Sequence, residues 1–286
     1  MGGNWGEGMI DDALNEVMAW ASIFEHKLNV SELHRNLRFK ITLEELEKHL
    51  STDSKFKLKN GFVYLSKGQL NNSKFQQRQS LAAQHKEFTK PVLESLVSCK
   101  IISGLAITGS VAAGVNDEEG DLDVLIITKP NWVWRVRALA VYLGHRHPNG
   151  GLLCPNMVMS EKSLDIEPSI YAARELMQIL PIKDSGSISE FYSVNSWARD
   201  LLPNSSRKDS WKLEPKPIYP WWWKVMQLPI LGRIIESWEA KRRIKQLRLN
   251  SKSKEAIYTK SVCRGHESSH KKRIEAELTK KLEAVK

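Results

Sequence analysis

The chain has 286 residues, of which 41% are hydrophobic, 8% aromatic and 27% charged. These fractions are typical of a globular protein and exclude a wholly disordered chain or a collagen-like repeat. No apolar run approaches the ~20 residues of a membrane-spanning helix, so we expect no integral membrane association. The N-terminus carries no signal-peptide pattern, and the three cysteines are scattered. Together these features predict a cytoplasmic protein without a disulfide framework.

The formal net charge of +10 is concentrated at one end of the chain. Residues 201–286 carry 21 Lys and Arg against 9 Asp and Glu, whereas the rest of the chain is slightly acidic. A concentrated positive region attracts polyanions such as RNA, DNA or anionic lipid. A solvated, lysine-rich helical surface explains the same charge equally well.

The first 70 residues predict three helices and a β-hairpin. The signals are helical periodicity over residues 11–24, a capping Ser31, a capping box of Thr42 with Glu45, and an Asn60–Gly61 turn. This order resembles a winged helix. Its third helix is acidic, which disfavours contact with DNA phosphates and favours packing or partner docking. The hairpin lysines keep DNA binding by this module open as a further hypothesis.

The middle of the chain alternates helices with short apolar strands. A polar connector precedes it, and Pro-rich residues 203–220 predict a linker after it. The expected strands span 101–108, 121–128 and 152–159, and the expected helices span 130–147, 169–180 and 189–202.

The C-terminal third predicts a helix over residues 230–249 and a charged terminal helix from His266. Trp221, Trp222 and Trp223 favour a seam between helices, although base stacking or a membrane interface is compatible with them. The cluster at residues 241–248 is the best candidate for contact with a nucleic-acid backbone.

Two aspartates begin the central strand. Side chains alternate along a strand, so Asp121 and Asp123 project from one face, about 7 Å apart. Such carboxylates repel one another unless a cation lies between them, and Mg²⁺ prefers oxygen ligands. The sequence therefore predicts a divalent-metal pair here.

Gly109 and Ser110 follow the preceding strand at a strand-to-helix turn. Glycine allows the backbone to approach a ligand, and the serine offers a hydroxyl and an N–H to phosphate. With the aspartates, this turn describes a site for a metal-bound nucleotide.

Gly-Ser, a ten-residue spacer and Asp-x-Asp at the start of an apolar strand resemble the polymerase-β-like nucleotidyltransferase superfamily. The resemblance implies that Gly109 and Ser110 bind the triphosphate and that Asp121 and Asp123 hold Mg²⁺ or Mn²⁺. It implies an α+β fold, with a small mixed-sheet nucleotidyltransferase domain over residues 71–202. We expect a winged-helix-like module (1–70) before this domain and a basic helical region (203–286) after it.

The superfamily usually adds a third acidic residue from a neighbouring strand. The matching position is Asn156, which can coordinate a cation but cannot act as a general base. Glu161, Asp165 and Glu167 are alternative sources of a base, although they match the pattern less well.

The implied reaction is Mg²⁺-dependent transfer of a nucleoside monophosphate from a triphosphate such as ATP to an acceptor hydroxyl, with release of pyrophosphate. An RNA 3′ end, contacted by the basic C-terminal region, is mildly favoured over a protein or a small molecule. The alternative is a catalytically degenerate protein that binds nucleotide and nucleic acid.

Several other charged residues have two interpretations. Lys129, Arg135 and Arg137 follow the aspartate strand and can meet phosphate, although a solvated helix face is favoured for each taken singly. His266 and His270, near Cys263, are expected to be unliganded.

Overall fold

The computed structural model describes residues 7–65, 72–148, 150–250, 256–265 and 270–283. Its N-terminal part contains three helices and a two-stranded hairpin, in the predicted order. These elements are α1 (Glu7–Ile23), α2 (Val30–Arg35), α3 (Leu43–Thr52), β1 (Phe56–Lys59) and β2 (Phe62–Leu65). They enclose a core of their own, which includes Leu14, Leu33, Leu46, Phe56 and Val63.

Local capping signals account for these helix starts. Thr42 accepts from the N–H of Glu45 and forms the predicted capping box. The prediction for α2 is wrong, because Asn29 caps this helix instead of Ser31. Asn29 has Glu32 three residues later, and the two residues exchange hydrogen bonds of 2.8 and 3.0 Å. Ser31 lacks such a partner, since His34 occupies the equivalent position.

The main body is an α+β arrangement around a six-stranded mixed sheet of order β6-β3-β4-β5-β8-β7, in which only β4 and β5 are parallel. Its elements up to residue 201 are α4 (Asn72–Ser98), β3 (Ile102–Ile107), α5 (Gly109–Ala112), β4 (Leu122–Thr128), α6 (Val133–Arg146), β5 (Leu153–Ser160), α7 (Ile170–Gln178), β6 (Leu180–Asp184), α8 (Ser187–Val194) and α9 (Trp197–Leu201).

The C-terminal part is not wholly helical, which corrects the prediction. It comprises α10 (Trp222–Met226), α11 (Pro229–Asn250), β7 (Ile257–Tyr258), β8 (Val262–Arg264) and α12 (His270–Glu283). Strand β8 pairs with β5 and extends the main sheet. Strands of two and three residues are too short to show an alternating pattern, which explains why the sequence did not reveal them.

The predicted linker at residues 203–220 is packed against the main body. The N–H of Trp211 donates to the carbonyl of Pro181 (2.8 Å), and the N–H of Lys216 donates to that of Glu94 (3.2 Å). The Ser95 hydroxyl donates back to the Lys216 carbonyl (3.0 Å). This segment is therefore an ordered strap across β6 and α4, despite its Pro-rich composition.

Both faces of the main sheet are covered. On one face, α4, α6, α10 and α11 pack over alternate residues such as Leu105, Val124 and Val158. On the other, α7, α8 and α9 pack over Ala106, Leu125 and Ile127. No helix of the described residues is long and apolar enough to span a membrane.

Candidate active site

The Gly-Ser turn lies directly against the second aspartate. Strands β3 and β4 are antiparallel, with Ile107 opposite Val124, so the end of β3 meets the start of β4. The Thr108 N–H donates to the carbonyl of Asp123 (2.9 Å). Gly109 has a φ of +63°, and a Cβ there would lie 2.7 Å from Oδ2 of Asp123. Glycine is therefore required both by the backbone conformation and by the approach of the carboxylate.

Asp123 belongs to the sheet face that α7 covers, and Asp121 immediately precedes β4. Alternation along β4 sends Leu122 and Val124 into the opposite core, whereas Leu125 packs beneath α7. Asp121 is exposed and Asp123 is partly buried. Within the described ranges, no Lys, Arg or His nitrogen lies within 4.0 Å of either carboxylate. The pair is not neutralised by ion pairing within this part of the protein.

The surroundings of Asp123 disfavour its charged form. Burial, together with the negative charge of Asp121, raises the pKa of Asp123 to about 6, although a hydrogen bond with Cys154 acts in the opposite direction. Cys154 is opposite Asp123 in the register of β4 and β5. Burial and the two carboxylates raise the pKa of this thiol to about 12, so it remains protonated at neutral pH.

A third carboxylate, which sequence reasoning missed, lies close enough to Asp123 to feel its charge. Glu175 is on α7 and is partly buried. Burial, followed by the charge of Asp123, raises the pKa of Glu175 to about 7, while a hydrogen bond from Gln178 (3.0 Å) opposes this rise. The residue stands more than fifty positions after Asp121, within an amphipathic helix, so no local motif identifies it.

The spacer between the turn and the aspartates is organised by Asn116. Its Oδ1 accepts from the Ser110 hydroxyl (2.9 Å), and its Nδ2 lies 3.2 Å from the carbonyl oxygens of Gly120 and Asp121. The same Nδ2 lies 2.7 Å from Nδ1 of His85 on α4. Asn116 is almost fully buried. It therefore fixes the serine turn, the first aspartate and α4 relative to one another.

Asn156 stands on β5, two residues beyond Cys154. A register shift follows the Asp123–Cys154 pair, and pairing resumes with Leu125 opposite Met157. Asn156 therefore occupies an irregular point of the strand, while Cys154 takes the position directly across from Asp123.

The alternative bases lie elsewhere. Glu161 follows β5, and its N–H donates to the carbonyl of Thr128, at the end of β4 remote from Asp123. Asp165 and Glu167 line a cleft with Arg264. They favour the charged form of this arginine, although burial is the larger effect and lowers the pKa of Arg264.

None of the described basic residues just after β4 forms an ion pair with the aspartates. Lys129 follows the end of β4 remote from Asp123. Arg135 is buried and paired with Glu236 (3.2 Å), so it is neither a phosphate ligand nor a solvated residue. Arg137 lines a cleft between α6 and α11 with His145 and Arg243.

Asp11, His49 and Asp53 form a group of potential metal ligands away from the aspartate pair. Nε2 of His49 lies 2.9 Å from Oδ1 of Asp11, and Nζ of Lys55 contacts the other oxygen of this carboxylate. These contacts already satisfy much of the group and join α1, α3 and the turn before β1. The arrangement is typical of a structural ion network.

The remaining predictions concern the C-terminal part. Trp222 and Trp223 cover a seam, because they contact Tyr142 and Trp132 with ring centroids 5.1 and 6.0 Å apart. Trp221 is exposed. All three cysteines are free thiols. His266 and the side chain of His270 lie outside the described residues.

Comparison with protein-family models, with curated proteins and with solved structures finds no match to this chain. Functional conclusions therefore depend on the geometry of the aspartate pair and its neighbours.

Proposed function

We propose that the protein is a Mg²⁺-dependent nucleotidyltransferase that transfers a nucleoside monophosphate from a nucleoside triphosphate to an acceptor hydroxyl. The observation that carries this proposal is the contact between the Gly-Ser turn and Asp123. Gly109 leaves no space for a side chain against Asp123. A phosphate-binding turn and a metal-binding pair must be adjacent if both are to hold one metal–triphosphate complex.

The residues fit a hard divalent cation. Asp121 and Asp123 supply oxygen ligands at the start of β4, and no described cationic side chain competes for them within 4.0 Å. The Cys154 thiol stays protonated, which disfavours a soft, thiolate-bound metal. When bound, Mg²⁺ offsets the repulsion between the carboxylates and the charge that develops on the phosphates.

Glu175 is the group that we assign to proton transfer. The acceptor oxygen forms a bond to the α-phosphorus, the bond to the pyrophosphate oxygen breaks, and the hydroxyl proton passes to the Glu175 carboxylate. A pKa of about 7 leaves a substantial fraction of this group ionised at neutral pH and makes it basic enough to accept the proton. Asn116 positions Ser110 and Asp121 during this step through the hydrogen bonds described above.

An RNA 3′ end is the acceptor class that we favour. Its support is the basic excess of residues 201–286, which provides an electrostatic attraction for a polyanion. Proteins and small molecules with a free hydroxyl are the other outcomes of the experiment.

The experiment incubates the full chain with each α-labelled nucleoside triphosphate, Mg²⁺ and total cellular RNA, and measures label in RNA, protein and small-molecule fractions. Label transfer is expected, and Asp121→Asn and Asp123→Asn should each abolish it. Glu119→Gln is the matched control, because Glu119 is an exposed carboxylate in the same loop and should leave transfer unchanged. Transfer that survives both aspartate variants would contradict the proposal.

The second candidate is a degenerate domain that senses nucleotide without transferring it. The observation that favours it is Cys154, which is opposite Asp123 where a further carboxylate would complete a metal site. Equilibrium binding of unlabelled triphosphates separates the two functions. Metal-dependent nucleotide binding without label transfer to any fraction would favour the sensor.

A further inference from the structure

The first half of helix α11 directs large apolar side chains away from the protein. Ile230, Ile234 and Trp238 are spaced four residues apart and are 79, 60 and 61% exposed. Leu231 and the nearby Trp221 are exposed as well. Residues at this spacing lie along one helix face, so together they form a continuous apolar stripe.

The inward face of α11 shows that this orientation is specified. The residues buried against α6 are Gly232, Glu236, Glu239 and Ala240, which are small or acidic. A side chain at Gly232 would clash with Arg135. Both oxygens of Glu236 accept backbone N–H groups at the start of α6, from Trp134 (3.0 Å) and Arg135 (2.9 Å). The apolar stripe therefore faces outward because the inward contacts fix the rotation of the helix.

The apolar stripe continues directly into a basic one. Lys241 and Lys245 follow on the same face in the next two turns, and both are exposed. Arg242 lies over the Trp238 ring, with its Cζ 5.3 Å from the ring centroid. The acidic residues of α11, Glu236 and Glu239, belong to the inward face, where they bind arginines. The outward face thus combines apolar and cationic groups and carries no carboxylate.

We infer that this face of α11, which we call the α11 stripe, is a peripheral docking surface for an anionic lipid bilayer. Apolar residues that include tryptophan enter the boundary between headgroups and acyl chains, while neighbouring Lys and Arg contact anionic headgroups. An RNA partner would use the lysines and leave Ile230 and Ile234 in water. A second copy docked through the same stripe would bring two carboxylate-free cationic faces together. A bilayer is the partner that satisfies both halves of the stripe.

The test is co-sedimentation of the full chain with vesicles. One set is phosphatidylcholine alone, and the other contains about 25% phosphatidylglycerol. We expect at least about tenfold tighter binding to the anionic vesicles, because two exposed lysines adjoin the inserted residues. Fluorescence of the exposed tryptophans should shift to shorter wavelength on binding.

Two double variants separate the halves of the stripe. Ile230→Ser with Ile234→Ser should weaken vesicle binding by about tenfold or more, and Lys241→Gln with Lys245→Gln should remove the preference for anionic vesicles. Leu58→Ser is the matched control, since Leu58 is 61% exposed on β1, away from α11. Circular dichroism verifies that each variant is folded.

Four results would overturn the inference. The first is absence of wild-type binding to anionic vesicles, and the second is equal binding to both vesicle sets. The third is full vesicle binding by the isoleucine variant. The fourth is a different partner for the stripe. It would be seen as binding of single-stranded RNA, or as a dimer in sedimentation equilibrium, that the isoleucine variant abolishes.

Discussion

Replacing Asp123 with Asn should stabilise the metal-free protein above neutral pH. The folded protein raises the pKa of this carboxyl from 3.8 to about 6, mainly through burial. The folded state therefore binds the proton more tightly than the unfolded state does. The stabilisation that protonated Asp123 gives the folded state is fully present below pH ~4. It is lost as the pH rises through the folded-state pKa of about 6. A difference of roughly two between the folded and unfolded pKa corresponds to about 3 kcal/mol in the free energy of unfolding. Because the side chain is partly exposed to solvent, we expect an effect of about 1–3 kcal/mol.

The assay is thermal unfolding without divalent cations at pH 5 and pH 8. Asp123→Asn should raise Tm by about 2–8 °C at pH 8 and by roughly half as much at pH 5, where the unfolded carboxyl is still mostly ionised. Glu119→Gln, at an exposed carboxylate in the same loop, should leave Tm unchanged at both values. Mg²⁺ or Mn²⁺ should stabilise the wild type at pH 8 and have little effect on Asp123→Asn.

An Asp123→Asn variant with a lower Tm than the wild type at both pH values would contradict a raised pKa for Asp123. Such a result would mean that the carboxylate is stabilised in its charged form, for instance by the Cys154 thiol. The energetic argument for a cation between the aspartates would then fail, although their geometry would be unchanged.

Three further predictions concern the surroundings of the aspartate pair. Glu175→Gln should lower the transfer rate by about 10²–10⁴ while nucleotide affinity is retained, and it should flatten a wild-type rate profile that rises through pH ~7. Asn116→Ala should lower the free energy of unfolding in urea by about 1–2 kcal/mol, because it leaves two part-buried carbonyl groups without this donor; an unchanged midpoint would contradict this role. Arg174→Met should lower the free energy of unfolding in the same assay by about 3 kcal/mol, because it leaves the part-buried Glu16 without its closest cationic partner. A decrease of less than about 0.5 kcal/mol would show that this ion pair is dispensable.

The elements that were predicted correctly are determined by residues a few positions apart in the sequence. Thr42 and Glu45 specify a helix start within four residues, and Asn60–Gly61 specify a hairpin with φ values of +53° and +79°. The adjacency of the Gly-Ser turn and Asp123 was also predictable, because consecutive antiparallel strands bring the end of one to the start of the next.

The features that the sequence did not reveal depend on contacts between distant segments. Strand β8 acquires its structure by pairing with β5, more than a hundred residues earlier. Arginine on a helix is usually solvated, but Arg135 is buried and forms an ion pair with Glu236 of α11. Glu175 feels the charge of Asp123 because α7 packs across the sheet. In each case the partner, rather than the local sequence, determines the environment.

The contacts of α7 also give the N-terminal elements a role at the site. Arg174, the residue before Glu175, is buried, binds Glu16 of α1 (3.1 Å) and lies over the ring of Trp20. Trp20 also contacts Tyr171, with ring centroids 5.8 Å apart. These contacts hold α7 from the side opposite the sheet and so restrict the position of Glu175. A module that packs against α7 needs apolar and ionic contacts but does not need a basic third helix. The acidic character of α3 therefore agrees better with a packing role than with DNA binding.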